Sequence, residues 1–228
     1  MTTRLQRLGI GLVLIGIAFF AAGGYAYIRT QDGASSLQAF SAAQNVKLAY
    51  NDQGQLIDHG DVVAAQNIMS LLVNDWGYKV SSAELNPNDP LVNTASEYMY
   101  QMATISEHTL TSTVKVTLPE PVTAADGTVY AAGTYDFPVN GRYYANFDRN
   151  NPIEAQARGI AWSPLPLALI GQLGVGAATA SSLQMGLGIS GLFAAIGFTF
   201  AFAGFGLFWA ARPETEKVAA LRPVLQPA

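Results

Sequence analysis

No cysteine occurs among the 228 residues. Disulfides, thiolate metal sites, iron–sulfur clusters and cysteine nucleophiles are thereby excluded together. Charge is scarce as well: Asp, Glu, Lys and Arg make up 12% of the chain, about half the share of an ordinary soluble domain. Histidine occurs only at His59 and His108. A net charge of −4 and a pI near 5.1 give no electrostatic footprint for nucleic acid. What fills the chain instead is apolar: 50% of residues are hydrophobic and the mean hydropathy is +0.22. Disorder needs the reverse balance, low hydrophobicity with high net charge.

The missing charges are concentrated. Between Arg7 and Arg29 lie 21 residues, 8–28, without one. At about 1.5 Å per residue they make about 31 Å of helix, the thickness of a bilayer's hydrocarbon core. Tyr25 and Tyr27 close the run, where amphipathic rings favour the headgroup layer. A cleavable secretory signal has an apolar stretch of only about 7–15 residues, so an uncleaved anchor is expected. A second gap, residues 159–211, is 53 residues long. Its later part, 188–211, is rich in Gly, Ala and Phe and ends at Trp209, which reads as a second span. The earlier part, 164–187, is interrupted by Gln172, Thr179, Ser181, Ser182 and Gln184. Unpaired amides are costly in lipid, so this part is expected to be interfacial or packed against protein.

Basic residues orient the chain. Arg4 and Arg7 precede the first span; Arg212, Lys217 and Arg222 follow the second. The bias of Lys and Arg toward the cytoplasm puts both termini inside and the central region outside the plasma membrane. A third span through 164–187 would send the C-terminal tail outward and remains the alternative. The expected layout is a cytoplasmic tail (1–7), a transmembrane helix (8–28), an extracytoplasmic α+β domain (29–163), an apolar interfacial or packed segment (164–187), a second transmembrane helix (188–211) and a cytoplasmic tail (212–228). The fold class is thus a membrane protein whose two transmembrane helices flank one domain of a small antiparallel sheet and about three helices.

Small residues recur at four-residue spacing, Ala18, Ala22 and Ala26 in the first span and Gly191, Ala195, Thr199 and Ala203 in the second. Such faces let backbones approach in lipid. They are expected to pack helices, either the two of this chain or one of them against another subunit. Neither span carries a charge, which disfavours a self-contained pump or transporter.

From Arg29 to Arg158 there are 7 basic and 14 acidic residues. Val46 to Asp58 alternates about the turn Asn51-Asp52-Gln53-Gly54 and predicts a hairpin. Asp61 is placed to cap a helix over residues 62–74, with Val62, Ala65, Ile68, Met69, Leu72 and Val73 on one side. Asp89-Pro90 predicts a helix start, with Leu91, Ala95, Tyr98, Met99 and Met102 buried. Residues 111–118 predict a strand, and Val129, Tyr130, Tyr135 and Phe137 mark further strands. Asn151-Pro152 predicts a last helix, with Glu154 completing a capping box. The stretch 85–91 is echoed by 147–153, so either the segment is duplicated or two helix starts merely look alike.

The run from residue 62 through Gly77-Tyr78, Glu84-Leu85 and Asn88-Asp89-Pro90 resembles small actinobacterial membrane proteins of unknown function with two membrane helices around an external segment. Some of these carry a ring-opening dioxygenase label. The resemblance covers about a third of the external domain together with the overall layout, and implies no chemistry. The strand-rich part, 111–140, departs from that pattern.

No HExxH, GxSxG, Walker or dinucleotide motif is present. Asp58-His59-Gly60-Asp61 is expected to be a turn with a cap, and His108 a favourable charge at a helix C-terminus. An iron-dependent ring-opening enzyme needs clustered His and carboxylate ligands, which two separated histidines do not suggest. Carboxylate pairs are the one generic catalytic option, Asp136 with Asp148 for example, and fourteen acids make such pairs by chance. No catalytic residue, metal ligand or cofactor is therefore expected. Tyr130, Tyr135, Tyr143 and Tyr144 are candidates for a docking surface, with sheet packing as the competing role. The expected function is non-enzymatic: an accessory or scaffold subunit, with the lipid bilayer and other membrane subunits as partners and no nucleic acid. The alternative is an extracytoplasmic ligand-binding or sensing module.

Overall fold

Long apolar runs can satisfy their own backbone groups by coiling into helices, and both charge-poor runs do so. A computed structural model describes residues 2–212, with α1 over Thr2–Gln44 and α5 over Pro164–Ala210. Each helix is long and apolar enough to cross a membrane. Between them lie α2 (Val62–Ser70), α3 (Ala95–Thr111), β1 (Thr113–Leu118), β2 (Val122–Thr123), β3 (Val129–Tyr130), β4 (Gly133–Pro138) and α4 (Pro152–Ala161). Two long apolar helices thus flank a region of short helices and small antiparallel sheets. Lys217 and Arg222 of the expected C-terminal tail lie outside the described residues.

Both helices are longer than the expected spans, 8–28 and 188–211. α1 continues through Arg29 and Asp32, an ion pair at 3.5 Å, to Gln44. Residues 164–187 are the uninterrupted first half of α5. Pro164 and Pro166 stand in its first turn, where a missing N–H goes unnoticed. The chain divides into two units, one of residues through Ser36 and from Ser182 onward, the other Leu37–Ser181.

In the first unit α1 and α5 run antiparallel, and their seam is made of glycine. A Cβ added at Gly9 would lie 2.6 Å from the Gly204 carbonyl oxygen; at Gly16, 2.7 Å from that of Gly197; at Gly23, 3.0 Å from that of Ser190. The small residues recur every seven positions, Gly9-Gly16-Gly23-Thr30 against Ser190-Gly197-Gly204-Ala211. A seven-residue step rotates only about −20° around an α-helix, so it holds one face to a partner. A four-residue step drifts about +40°, so a stripe of that spacing leaves the contact within a few steps. Ala18, Ala22, Gly191, Ala195, Thr199 and Ala203 are accordingly exposed and Ala26 half-buried: within this chain the packing face is a different one from the stripes read in the sequence. Thr30 and Ser190 in the seam donate their hydroxyls to Ala26 and Gly186 carbonyls of their own helices, both at 2.8 Å. Large apolar side chains also face outward; Leu14 is 62% and Phe202 69% exposed.

In the second unit the Asp61 carboxylate caps α2, accepting the Val63 N–H at 2.7 Å. Ala65 and Ile68 are buried, and a π-helical turn over Leu71–Asp75 follows. Its wider loop turns the adjacent Leu71 and Leu72 both inward and leaves Val73 exposed, against expectation. The helix expected at Asp89-Pro90 starts instead at Ala95. The chain at 90–92 is tied to 46–48, Leu48 N–H donating to the Pro90 carbonyl at 2.8 Å and Val92 N–H to that of Val46 at 2.9 Å. Thr94 is the true cap. Its hydroxyl accepts the Glu97 N–H at 3.4 Å, and the Glu97 carboxylate accepts the Thr94 N–H at 2.9 Å. Residues 147–153, by contrast, do lead into a helix, α4, capped by Asn151; the echo of 85–91 joins a turn to a helix start and is no structural repeat. Glu154 reaches past its cap to the Asp148 N–H at 2.8 Å.

β1 pairs antiparallel with β4, Val116 opposite Tyr135, and β2 pairs with β3. Val116, Leu118 and Val139 meet α4 residues Ile153 and Ala157 in the core. Tyr98 of α3 is central. Its hydroxyl lies 2.7 Å from Ser41 Oγ, and its ring presses on Gly176, where a Cβ would meet ring carbon at 2.6 Å.

Two expectations follow. Gly16→Val costs about 1–3 kcal/mol by overpacking the seam, whereas Gly11→Val, which meets nothing within 4 Å, costs far less; thermal unfolding in detergent separates them. Glu97 is 2% exposed, and burial raises its carboxyl above the usual 4.5, aided by the charge of Asp89 and opposed by donors from Asn93 and Thr94. A carboxyl raised on folding contributes stability below 4.5 that is lost as pH climbs through its folded value. Glu97→Gln keeps an acceptor and removes that charge, so melting curves from pH 4 to 7 are expected to favour the variant increasingly as pH rises.

Candidate functional site

The hairpin predicted from residue 46 onward is pinned by Asn51, whose side-chain oxygen accepts the Gln53 and Gln55 N–H groups. A second tight turn follows at Asp58-His59-Gly60-Asp61. Asp58 and Asp61 exchange both backbone hydrogen bonds, at 3.0 and 2.9 Å. The two central residues have φ of +50° at His59 and +84° at Gly60. Two positive φ values in succession are the mark of a type I′ turn, where Asn-Gly is the favoured pair. A histidine in the left-handed region costs about 1 kcal/mol. The turn leaves the His59 side chain 82% exposed and that of Asp58 only 16%.

α3 brings the third group. His108 sits in its last turn, where a cation complements the helix dipole, as expected. The ring, however, is committed elsewhere: His108 Nε2 lies 2.8 Å from Asp58 Oδ2. His59 Nε2 lies 4.0 Å from Asp58 Oδ1, and the two imidazole centroids are 5.1 Å apart. One donor atom from each of the three residues falls within 4.8 Å of the others. The separation of the histidines in sequence therefore gave a mistaken picture. They are neighbours, with a carboxylate between them.

A cavity of about 260 Å³ adjoins the cluster, lined among others by Lys47, Ile57, Tyr100, Gln101 and Thr104. Burial pushes the Tyr100 phenol well above its ordinary value, and the charges of Asp58 and Tyr50 add to the shift. Tyr100 thus stays a protonated donor, directed at the Ala65 carbonyl at 3.5 Å.

No protein-family model, curated protein or solved structure matches the chain. The site must be read from its own chemistry.

The remaining candidates disperse. Asp136 pairs with the Lys115 ammonium at 2.8 Å, across the β1–β4 ladder, while the Asp148 carboxylate accepts the Asn150 N–H, so each is separately engaged. Tyr130 and Tyr135 are half-buried against the core. Tyr143 stacks on Trp162 and accepts the Trp76 indole N–H at 2.8 Å. Tyr144 lies under the Arg158 guanidinium, 4.7 Å from its ring centroid. The tyrosines expected as one docking surface are thus divided between core packing and separate partners, with Tyr143 and Tyr144 still exposed.

The left-handed turn can be tested directly. His59→Gly is expected to fold with stability close to that of the parent, because glycine enters this region freely. His59→Val is expected to lose about 1–2 kcal/mol, read by thermal unfolding of both variants side by side.

Proposed function

We propose that the protein is a non-enzymatic integral membrane protein of the plasma membrane, acting as an accessory or scaffold subunit of a larger membrane assembly. In this reading α1 and α5 span the bilayer, both termini are cytoplasmic, and the central domain, 29–163, is extracytoplasmic. The observation that supports it most is the outer surface of α5. The glycine seam occupies one face of that helix, and Gly191, Ala195, Thr199 and Ala203 remain exposed on another. A second close-packing face is what an additional membrane helix would need. Thr199 adds no unsatisfied polar group, since its hydroxyl donates to the Ala195 carbonyl at 2.9 Å.

An alternative reading, an extracytoplasmic ligand-binding module, is favoured by one feature. A mostly apolar cavity of about 240 Å³ is lined by Phe40, Val46, Ile105 and Leu173, with Ser41 and Tyr98 as convergent polar groups. That is the character of a small-ligand site, although it is smaller than most.

Three measurements test the principal reading. A reporter inserted near residue 100 is expected to signal from outside the cell, and alkaline washing is expected to leave the chain in the membrane. In mild detergent the native protein is expected to elute with more mass than one 24.2 kDa chain. Ala195→Leu with Thr199→Leu is expected to reduce that mass while leaving the chain folded. Elution as a lone chain under every mild condition would remove the accessory role.

A further inference from the structure

We propose that Asp58, His59 and His108 form a binding site for a divalent transition-metal cation of the zinc–copper type. The donor set is two imidazole nitrogens and one carboxylate oxygen. Imidazole suits zinc, copper, nickel and iron, whereas calcium and magnesium take six or more oxygens, and soft monovalent copper takes sulfur. No sulfur is at hand in a cluster of His and Asp.

The spacing fits one ion with modest adjustment. Ligand atoms about 2.0–2.1 Å from a tetrahedral Zn²⁺ stand about 3.4 Å from one another. Here Asp58 Oδ2 and His108 Nε2 are 2.8 Å apart, and Asp58 Oδ1 and His59 Nε2 are 4.0 Å apart. Each carboxylate oxygen thus faces one imidazole, and a cation would take the place of the proton now shared with His108. The largest adjustment falls to His59, whose side chain is free in solvent at the tip of its turn. The backbone beneath is held rigidly, Asp58 by both hydrogen bonds to Asp61 and His108 by the last turn of α3. Three protein ligands leave a coordination position for water or another small ligand, and the same three residues are among those that line the cavity. The acidic balance between Arg29 and Arg158 favours the approach of a cation.

This inference is independent of membrane topology and of any partner subunit. It also explains why a histidine occupies a position that favours Asn or Gly.

The test is a titration of ZnCl₂ into the full chain in detergent, free of any affinity tag, followed by calorimetry. One saturable site is expected, with a dissociation constant in the micromolar range or below, unaffected by millimolar Mg²⁺ or Ca²⁺. Loss of a residue that merely supports a metal ligand typically costs about 10–100-fold in affinity, so His59→Gly and His108→Ala are each expected to weaken binding by at least about tenfold. His59→Gly preserves the turn, so its effect cannot be attributed to unfolding. Because the chain has only these two histidines, the His59→Gly and His108→Ala variants assign the imidazole resonances in an NMR titration, and both are expected to shift with Zn²⁺. Absence of saturable binding below about 100 μM (about −5.5 kcal/mol), or affinity unchanged in His59→Gly, overturns the proposal.

Discussion

How closely two backbones can approach decides the first unit. Apolar helices in hydrocarbon gain little from hiding apolar surface from one another; what holds them is dispersion at short range, which falls off steeply with separation. Gly9, Gly16 and Gly23 lie against Gly204, Gly197 and Ser190 with no room for a Cβ. The repeat of seven keeps that approach over several turns. Larger residues then fill the flanks of the seam, as with Phe19, which meets Phe193 edge-on at 5.7 Å and Phe200 stacked at 6.0 Å. The polar members of the seam cost little, because Thr30 and Ser190 return their hydroxyls to their own helices.

The second unit is held by a different device. Its core forms around α3, and the tyrosines of that helix carry both packing and polarity. Tyr98 places its ring on Gly176 and its hydroxyl on Ser41; Tyr100 is buried beneath α2 with its hydroxyl aimed at the Ala65 carbonyl. A phenol suits such a position since one end is apolar and the other needs a hydrogen bond. Glu97 extends the same logic to the start of the helix: a buried carboxylate is tolerable because Asn93 N–H, Thr94 N–H and the Thr94 hydroxyl all donate to it.

Features governed by local chemistry were legible in the sequence. The Asp61 cap, the turn at Asn51, the Asn151-Pro152 helix start and the alternation of β1 each depend on residues a few positions apart. Errors arose where a distant partner competed. Pro90 was as good a local helix start as Pro152, but the segment 46–48 bridges to it and the Leu48 N–H takes its carbonyl, so the helix yields to Thr94, four residues on, and Glu97. The seven-residue glycine repeat marks the face that joins the two helices of this chain, whereas the four-residue stripes lie on other, exposed faces. The histidine–carboxylate cluster was not legible at all. Its members come from a turn and a helix end, and no spacing rule connects them.

That last case bears on how a polar cluster on this protein should be weighed. A His108–Asp58 hydrogen bond alone is ordinary surface structure, worth a fraction of a kcal/mol when solvent reaches it. The second imidazole changes the balance. His59 is 82% exposed, its ring touching only that of His108 among the aromatic side chains described, and its backbone stands in the left-handed region that glycine enters most freely. Backbone conformation alone gives histidine no advantage over glycine there. The same residue becomes intelligible if its ring nitrogen is used, and the nearest groups able to share an ion with it are those already paired beneath it.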